Sequence, residues 1–256
     1  MGKTEQYYRQ VLSNDGAMLF SLIDPDKSPL EKGATLAKIS AEGGADAILV
    51  GGSIGAQGAV LDQTVSMIKE SAPNLPVVLF PGSIAGFSAA ADAIYFMHML
   101  NSRDVYWLST AQIQSAPFIA RTNVEAIPTS YLVLEPGRAV GWVGNANLVP
   151  RDRPDLAAAC ALAARFSGSH VLVTDSGSGA PDPAPLPLIS AVSKACNNRE
   201  VMYFLGGGVR TAKQAEDSIL AGADGVQVGT AFEEGNVLNK IKEMRKAIKT
   251  AGKSRV

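Results

Sequence analysis

Asp24-Pro25-Asp26-Lys27 and Ser53 are oxygen-bearing positions that each stand just after a short apolar run. Two carboxylates and a hydroxyl, with no histidine or cysteine nearby, are hard ligands. Magnesium takes such ligands while keeping several waters, and completes its coordination with substrate phosphate. An Asp-Pro turn with an early helix cap accounts for the same aspartates without a metal. Two further acids, Glu135 in Glu-Pro-Gly and Asp175, also follow apolar runs and are candidates for accepting a proton. Each also reads as a plain turn residue. Behind Asp175 come Ser176, Gly177, Ser178 and Gly179, and two more clusters follow at Gly206-Gly207-Gly208 and at Gly229-Thr230. Glycine lets backbone N–H groups approach an anion closely and take positive φ, while Ser176, Ser178 and Thr230 add hydroxyl donors. Any one of these glycines only makes a tight turn. Three clusters in succession point to a phosphate monoester.

The elements that must carry these residues are short apolar runs alternating with longer helical patterns. Strand-like runs span 17–23, 46–50, 77–80, 92–97, 130–134, 170–174, 201–205 and 225–228. Each is nearly continuous in hydrophobicity, as in a parallel sheet covered on both faces. Ser28-Pro29-Leu30-Glu31 combines an N-cap serine, a proline at the first helical position and a capping-box glutamate, with Gly43-Gly44 as the stop. Thr211 with Gln214 repeats the device, and Gly222 ends that helix. Eight such units in 256 residues favour a single-domain (βα)8 TIM-type barrel over residues 1–256, with a short N-terminal helix, rather than an open doubly wound sheet. The third unit is irregular, since PGSIAGFSAAAD is too short and glycine-rich for a helix. In a barrel the ligand site lies at the carboxyl ends of the strands, where all the candidate residues fall.

Composition narrows the partners. Lysine plus arginine number 23 against 24 acids, and no block of like charge marks an interaction tail, so nucleic acid is excluded as a partner. No stretch approaches the roughly 18 apolar residues of a membrane span, and the first residues lack the apolar core of a signal peptide. Cys160 and Cys196 lie in alanine-rich helical patterns without metal spacing and read as buried free thiols, which suits a cytoplasmic protein. His98, in YFMHML, and His170 read as structural.

The chain resembles the geranylgeranylglyceryl phosphate synthase family in its larger archaeal-type subgroup. The resemblance runs through LIDPDK at 22–27, ILVGGSIG at 48–55, VVLFPGS at 77–83, NSRDVYWL at 101–108, SYLVLEPGRAVGWVGNANLVPRD at 130–152, GSGAP at 177–181, LGGGVR at 205–210 and VQVGT at 226–230. It implies a barrel that joins sn-glycerol 1-phosphate to a polyprenyl diphosphate, the first ether-bond step of archaeal membrane lipids. It implies magnesium (Mg2+) at Asp24 and Ser53, holding the diphosphate. It also implies glycerol phosphate in the loops matching Val173, Thr174, Asp175, Ser176, Gly177, Ser178 and Gly179, then Gly206, Gly207 and Gly208, then Gly229 and Thr230. The family commonly reads tyrosine-leucine-glutamate where this chain has Val173-Thr174-Asp175, so the acid is one methylene shorter and the aromatic is lost.

On this reading the C3 hydroxyl of glycerol phosphate attacks the first carbon of an allylic diphosphate. Asp175 orients that hydroxyl and accepts its proton, with Glu135 as the alternative base. Tyr131 is either a wall residue near the first carbon or a core tyrosine. Tyr95, Phe96, Met97, Met99, Tyr106 and Trp107 form either an apolar groove for the prenyl tail or ordinary core, and segment 135–154, with Trp142, reads as a lid. Lys27 and Arg210 reach phosphate oxygens or solvent. The lipid product implies a transient contact with a membrane surface at release, and a homo-oligomer is expected. A phosphosugar isomerase or aldolase on the same barrel, and a non-catalytic phosphate-binding protein, are the alternatives; no lysine lies in the eight strand runs to form a Schiff base.

Overall fold

Alternating burial shapes the molecule. In β1 (Met18–Ile23), Met18 and Phe20 belong to one buried cluster and Leu19 and Ile23 to another. The same division recurs in β6 (Val171–Asp175), where Val171 and Val173 join the first cluster and Leu172 the second. The first cluster fills the inside of a cylinder and the second cements its outside to helices, the two faces a continuous apolar strand must bury. The computed structural model describes residues 1–255.

The strands β1, β2 (Ala47–Val50), β3 (Val77–Leu79), β4 (Ala93–Met99), β5 (Glu125–Val133), β6, β7 (Met202–Gly206) and β8 (Gly225–Val228) close into one barrel in sequence order. Every pairing is parallel, and β8 returns to β1 with Met18 opposite Gly225. The expected (βα)8 architecture is therefore present. Outside lie α2 (Leu30–Gly43), α3 (Gly58–Ser71), α4 (Ala111–Ile119), α6 (Pro154–Phe166), α7 (Leu186–Ala195), α8 (Ala212–Leu220) and α9 (Val237–Lys253), and the short α5 (Arg138–Val143) interrupts the segment between β5 and α6. Residues 80–92 form no helix, so the third unit is irregular as the glycine content requires.

The N-terminal helix α1 (Lys3–Asp15) closes the amino-terminal end of the barrel. Its Tyr8 ring is fully buried and meets Phe20 and Phe204 edge-on at 5.3 and 5.9 Å. Glu125, the first residue of β5, accepts hydrogen bonds from the N–H groups of Gly2 at 2.8 Å, Thr4 at 2.6 Å and Glu5 at 3.3 Å. A strand carboxylate thus does the work of an N-cap, because Gly2 has no side chain to offer.

Local signals failed at two places. α2 starts at Leu30 with Pro29 as its extended N-cap and no side-chain cap, so the Ser28 capping box is not formed. The Leu30 N–H is met instead by Thr64 Oγ1 of α3 at 3.0 Å, a tertiary partner. β5 begins five residues before the expected Ser130, because Pro128 sits within the strand and still accepts through its carbonyl from the His170 N–H. The Thr211–Gln214 capping box forms in full.

Candidate active site

The carboxyl ends of the strands surround a cavity of roughly 1120 Å3 counted out to its mouth. Its wall carries Asp24 and Lys27 after β1, Gly52 and Ser53 after β2, Tyr131 of β5, Asp175 of β6, Gly206 at the end of β7 with Gly207 to Arg210 after it, and Gln227 and Val228 of β8 with Gly229 to Ala231 after it.

On one side is a cup of main chain. Gly207 and Gly208 both hold φ of +79°, a conformation that other residues rarely adopt. A Cβ on Gly208 would sit 2.2 Å from the Asp182 backbone. Arg210 donates to the carbonyls of Gly179 and Ala180 at 3.5 and 3.0 Å, tying the loop after β6 to the one after β7. The hydroxyls of Ser178 and Thr230 lie 3.3 Å apart and link that loop to the turn after β8. Free N–H groups, two hydroxyls and a guanidinium are the components of a phosphate site.

Deep between the strands, Asp175 accepts from the Tyr131 hydroxyl at 2.9 Å and from the Gly177 N–H at 2.6 Å. Burial pushes its carboxyl above the usual aspartate range, and the two donors counteract that only in part. Tyr131 is held well above its ordinary pKa, first by burial and then by the neighbouring carboxylate, so it stays a neutral donor. Phe80 stands edge-on to Tyr131 at 5.5 Å and to Tyr95 at 5.6 Å, walling the site with apolar surface.

Across the mouth, Asp24 is raised mainly by burial. The Asp26 N–H lowers it, the negative charges of Asp26 and Glu233 raise it, and Lys27 opposes them. Lys27 itself is paired with Glu233 at 2.9 Å. A Cβ on Gly52 would lie 2.6 Å from Asp24 Oδ1, so this glycine lets the carboxylate lie against the β2 loop that carries Ser53. A second cavity of roughly 580 Å3 shares Pro81, Met97, Met99, Trp107 and Tyr131 with the first and continues between Phe87, Ile94 and Phe96.

The chain that builds this mouth matches known proteins over nearly its whole length. The model of the PcrB family matches residues 13–250. The chain belongs to the PcrB family. It is 45% identical over 249 residues to geranylgeranylglyceryl phosphate synthase of Methanosarcina acetivorans, covering 97% of this chain and 100% of that one. The synthase of Thermococcus kodakarensis is also 45% identical, over 95% of this chain and 94% of its own. The crystal structure of (S)-3-O-geranylgeranylglyceryl phosphate synthase from Thermoplasma acidophilum, in complex with substrate sn-glycerol-1-phosphate, superposes with a TM-score of 0.92 at 33% identity, over 98% of this chain and 100% of that one.

In this member of the PcrB family, the residues singled out in the sequence divide. Asp24, Ser53, Tyr131, Asp175, Ser178, Gly179, Gly206, Gly207, Gly208, Gly229 and Thr230 all line the one cavity. Val173 packs in the barrel interior, and Thr174 points outward with its hydroxyl 2.9 Å from that of Tyr203. Ser176 is buried off the wall, and Gly177 contributes its N–H to Asp175. Glu135 lies outside the cavity, a correction to its place as alternative base. Leu134 bridges Val149, the Glu135 N–H bonds the Val149 carbonyl, and the exposed carboxylate accepts from the Arg151 N–H, so the chain turns away from the barrel. His98 bonds Ser130 and His170 bonds Glu5, both as structural residues, and both cysteines are free, Cys160 only half-buried.

Among the described residues, no three histidine, cysteine, aspartate or glutamate side chains cluster to hold a metal by themselves. The donors at Asp24 nonetheless fit magnesium: one carboxylate that makes no ion pair, a nearby hydroxyl-bearing loop, and a local excess of negative charge that a divalent ion would neutralise. Such a site is completed by the oxygens of a bound diphosphate. Sequence reasoning missed Gln227, whose inward position follows from strand alternation in GVQV but is masked by an otherwise apolar run.

Proposed function

We propose that this chain joins the C3 hydroxyl of sn-glycerol 1-phosphate to a polyprenyl diphosphate, geranylgeranyl as the names of its relatives state, with release of diphosphate. It is a prenyltransferase making the first ether bond of archaeal lipids. The observation that carries this is the placement of Asp175 in one cavity with the glycine cup on one side and the apolar chamber on the other. The N–H groups around Gly207, Gly208 and Gly229, with Ser178 and Thr230, receive the phosphate. Met97, Met99, Phe96 and Trp107 receive the first part of the tail.

Asp175 draws the C3 hydroxyl toward the allylic carbon and takes its proton as the new carbon–oxygen bond forms and the carbon–diphosphate bond breaks. The proton then passes to solvent. Tyr131 keeps Asp175 in one orientation, and Phe80 shields the positive charge that builds on the allylic carbon from water. Asp24 and Ser53 would hold Mg2+, whose charge when bound stabilises the departing diphosphate. Among the described residues no helix is long and apolar enough to cross a membrane. The enzyme is proposed to work in the cytoplasm and to meet a membrane surface only when its lipid product leaves. We also propose a homo-oligomer.

The test is product formation from sn-glycerol 1-phosphate, geranylgeranyl diphosphate and Mg2+. Ether product is expected only with all three, and Asp24→Ala is expected to lower turnover by about a hundredfold or more while the fold is kept. No product with any prenyl chain length overturns the proposal, and full activity in Asp24→Ala removes the metal role.

A further inference from the structure

Gln227 is 4% exposed, and its side-chain Oε1 has no hydrogen-bond partner, although the residue lines the cavity. Its Nε2 donates to the Tyr95 hydroxyl at 3.4 Å, so the amide oxygen is the half of this buried side chain left without a donor. Buried amide oxygens are seldom left without a donor, so an unpaired one at the floor of a ligand cavity asks for a donor from the ligand.

The register says which part of the ligand that is. Asp175 of β6 is opposite Gly206 of β7, and Gly206 is opposite Gln227 of β8. In parallel strands such partners face the same way, and Gly206 carries no side chain. The Asp175 carboxylate and the Gln227 side chain therefore both face the barrel interior and line one cavity, and Gly206 puts no side chain between their strands. Gly229 of the phosphate cup is two residues beyond Gln227.

Resting on the reading of this cavity as a glycerol phosphate site, the groups can be assigned in turn. The phosphate goes to the cup and the reacting C3 hydroxyl to Asp175. The polar group left over is the hydroxyl on C2, between them. We infer that Gln227 is a specificity-determining residue whose Oε1 accepts a hydrogen bond from the C2 hydroxyl, selecting a triol-derived phosphate over one lacking that oxygen. The amide turned end for end presents Nε2 to the same hydroxyl, which then accepts, so the pairing holds in either orientation.

The experiment compares sn-glycerol 1-phosphate with propane-1,3-diol monophosphate, which lacks only the C2 hydroxyl, in the wild-type protein and in Gln227→Met and Gln227→Asn. Both kcat/KM and binding by calorimetry without prenyl donor are measured. Wild type is expected to prefer the glycerol phosphate by about tenfold to a hundredfold, and both variants to lose most of that preference. An equal fall on both acceptors marks a merely structural residue and overturns the inference, as does an unchanged preference. Calorimetry separates the two claims: a wild type that binds glycerol phosphate with this preference but makes no ether removes the synthase reading and leaves the Gln227 assignment standing.

Discussion

Asp175 is where the chemistry and its cost meet. Its carboxyl is raised by burial, so folding favours the protonated form, whereas a base must be ionised. The sign of the activity effect follows: kcat/KM should fall as pH drops through a value above the ordinary aspartate pKa of about 3.9. The stability effect runs oppositely. The unfolded chain ionises this group at lower pH than the folded one, so the residue withdraws stability as pH rises past the ordinary value. Asp175→Asn is therefore expected to cut turnover by about 10²–10⁴-fold while the melting temperature at neutral pH holds or rises. Near-normal turnover in Asp175→Asn, or an acid limb within the ordinary aspartate range, would contradict the role. This residue was legible because an acid directly follows an apolar strand. Glu135 met the same criterion and failed, since the bridge from Leu134 to Val149 that turns it outward is a contact 15 residues away. Thr174 failed because its outward face on β6 meets Tyr203, a partner on another strand.

Elements were legible where their determinants are local. Eight strands could be read because parallel strands buried on both faces stand out as apolar runs, and α8 because its capping box lies wholly within four residues. Where a cap came from elsewhere in the fold, as Thr64 for α2 and Glu125 for α1, local sequence misplaced or could not explain the helix start. The Glu125 cap carries its own prediction. Glu125→Ala removes the acceptor of three N–H groups, that of Gly2 just before α1 and those of Thr4 and Glu5 in its first turn, and is expected to cost about 1–2 kcal/mol in urea denaturation. Because this end of the barrel is opposite the cavity, turnover below the unfolding transition should stay near wild type. An unchanged unfolding midpoint would show that solvent or another group caps α1 equally well.

At the scale of the whole molecule, the barrel divides labour between its ends. The amino-terminal end is filled by Tyr8 and Leu12 of α1 and by Phe20 and Phe204, and serves stability. The carboxyl-terminal end is left open, with loops from β1, β2, β6, β7 and β8 converging on one cavity. The proposed reaction requires two negatively charged guests to be held in that one mouth, near enough for their carbon and oxygen to bond. The most direct measurement is a crystal structure with sn-glycerol 1-phosphate, Mg2+ and a non-cleavable prenyl diphosphate analogue bound together. Phosphate density is expected against Gly207, Gly208 and Gly229, diphosphate and metal at Asp24 and Ser53, the tail along Met97 and Met99, and the C3 oxygen facing the allylic carbon beside Asp175. Either anion bound outside this cavity, or a C3 oxygen turned away from the allylic carbon, would contradict the proposed reaction.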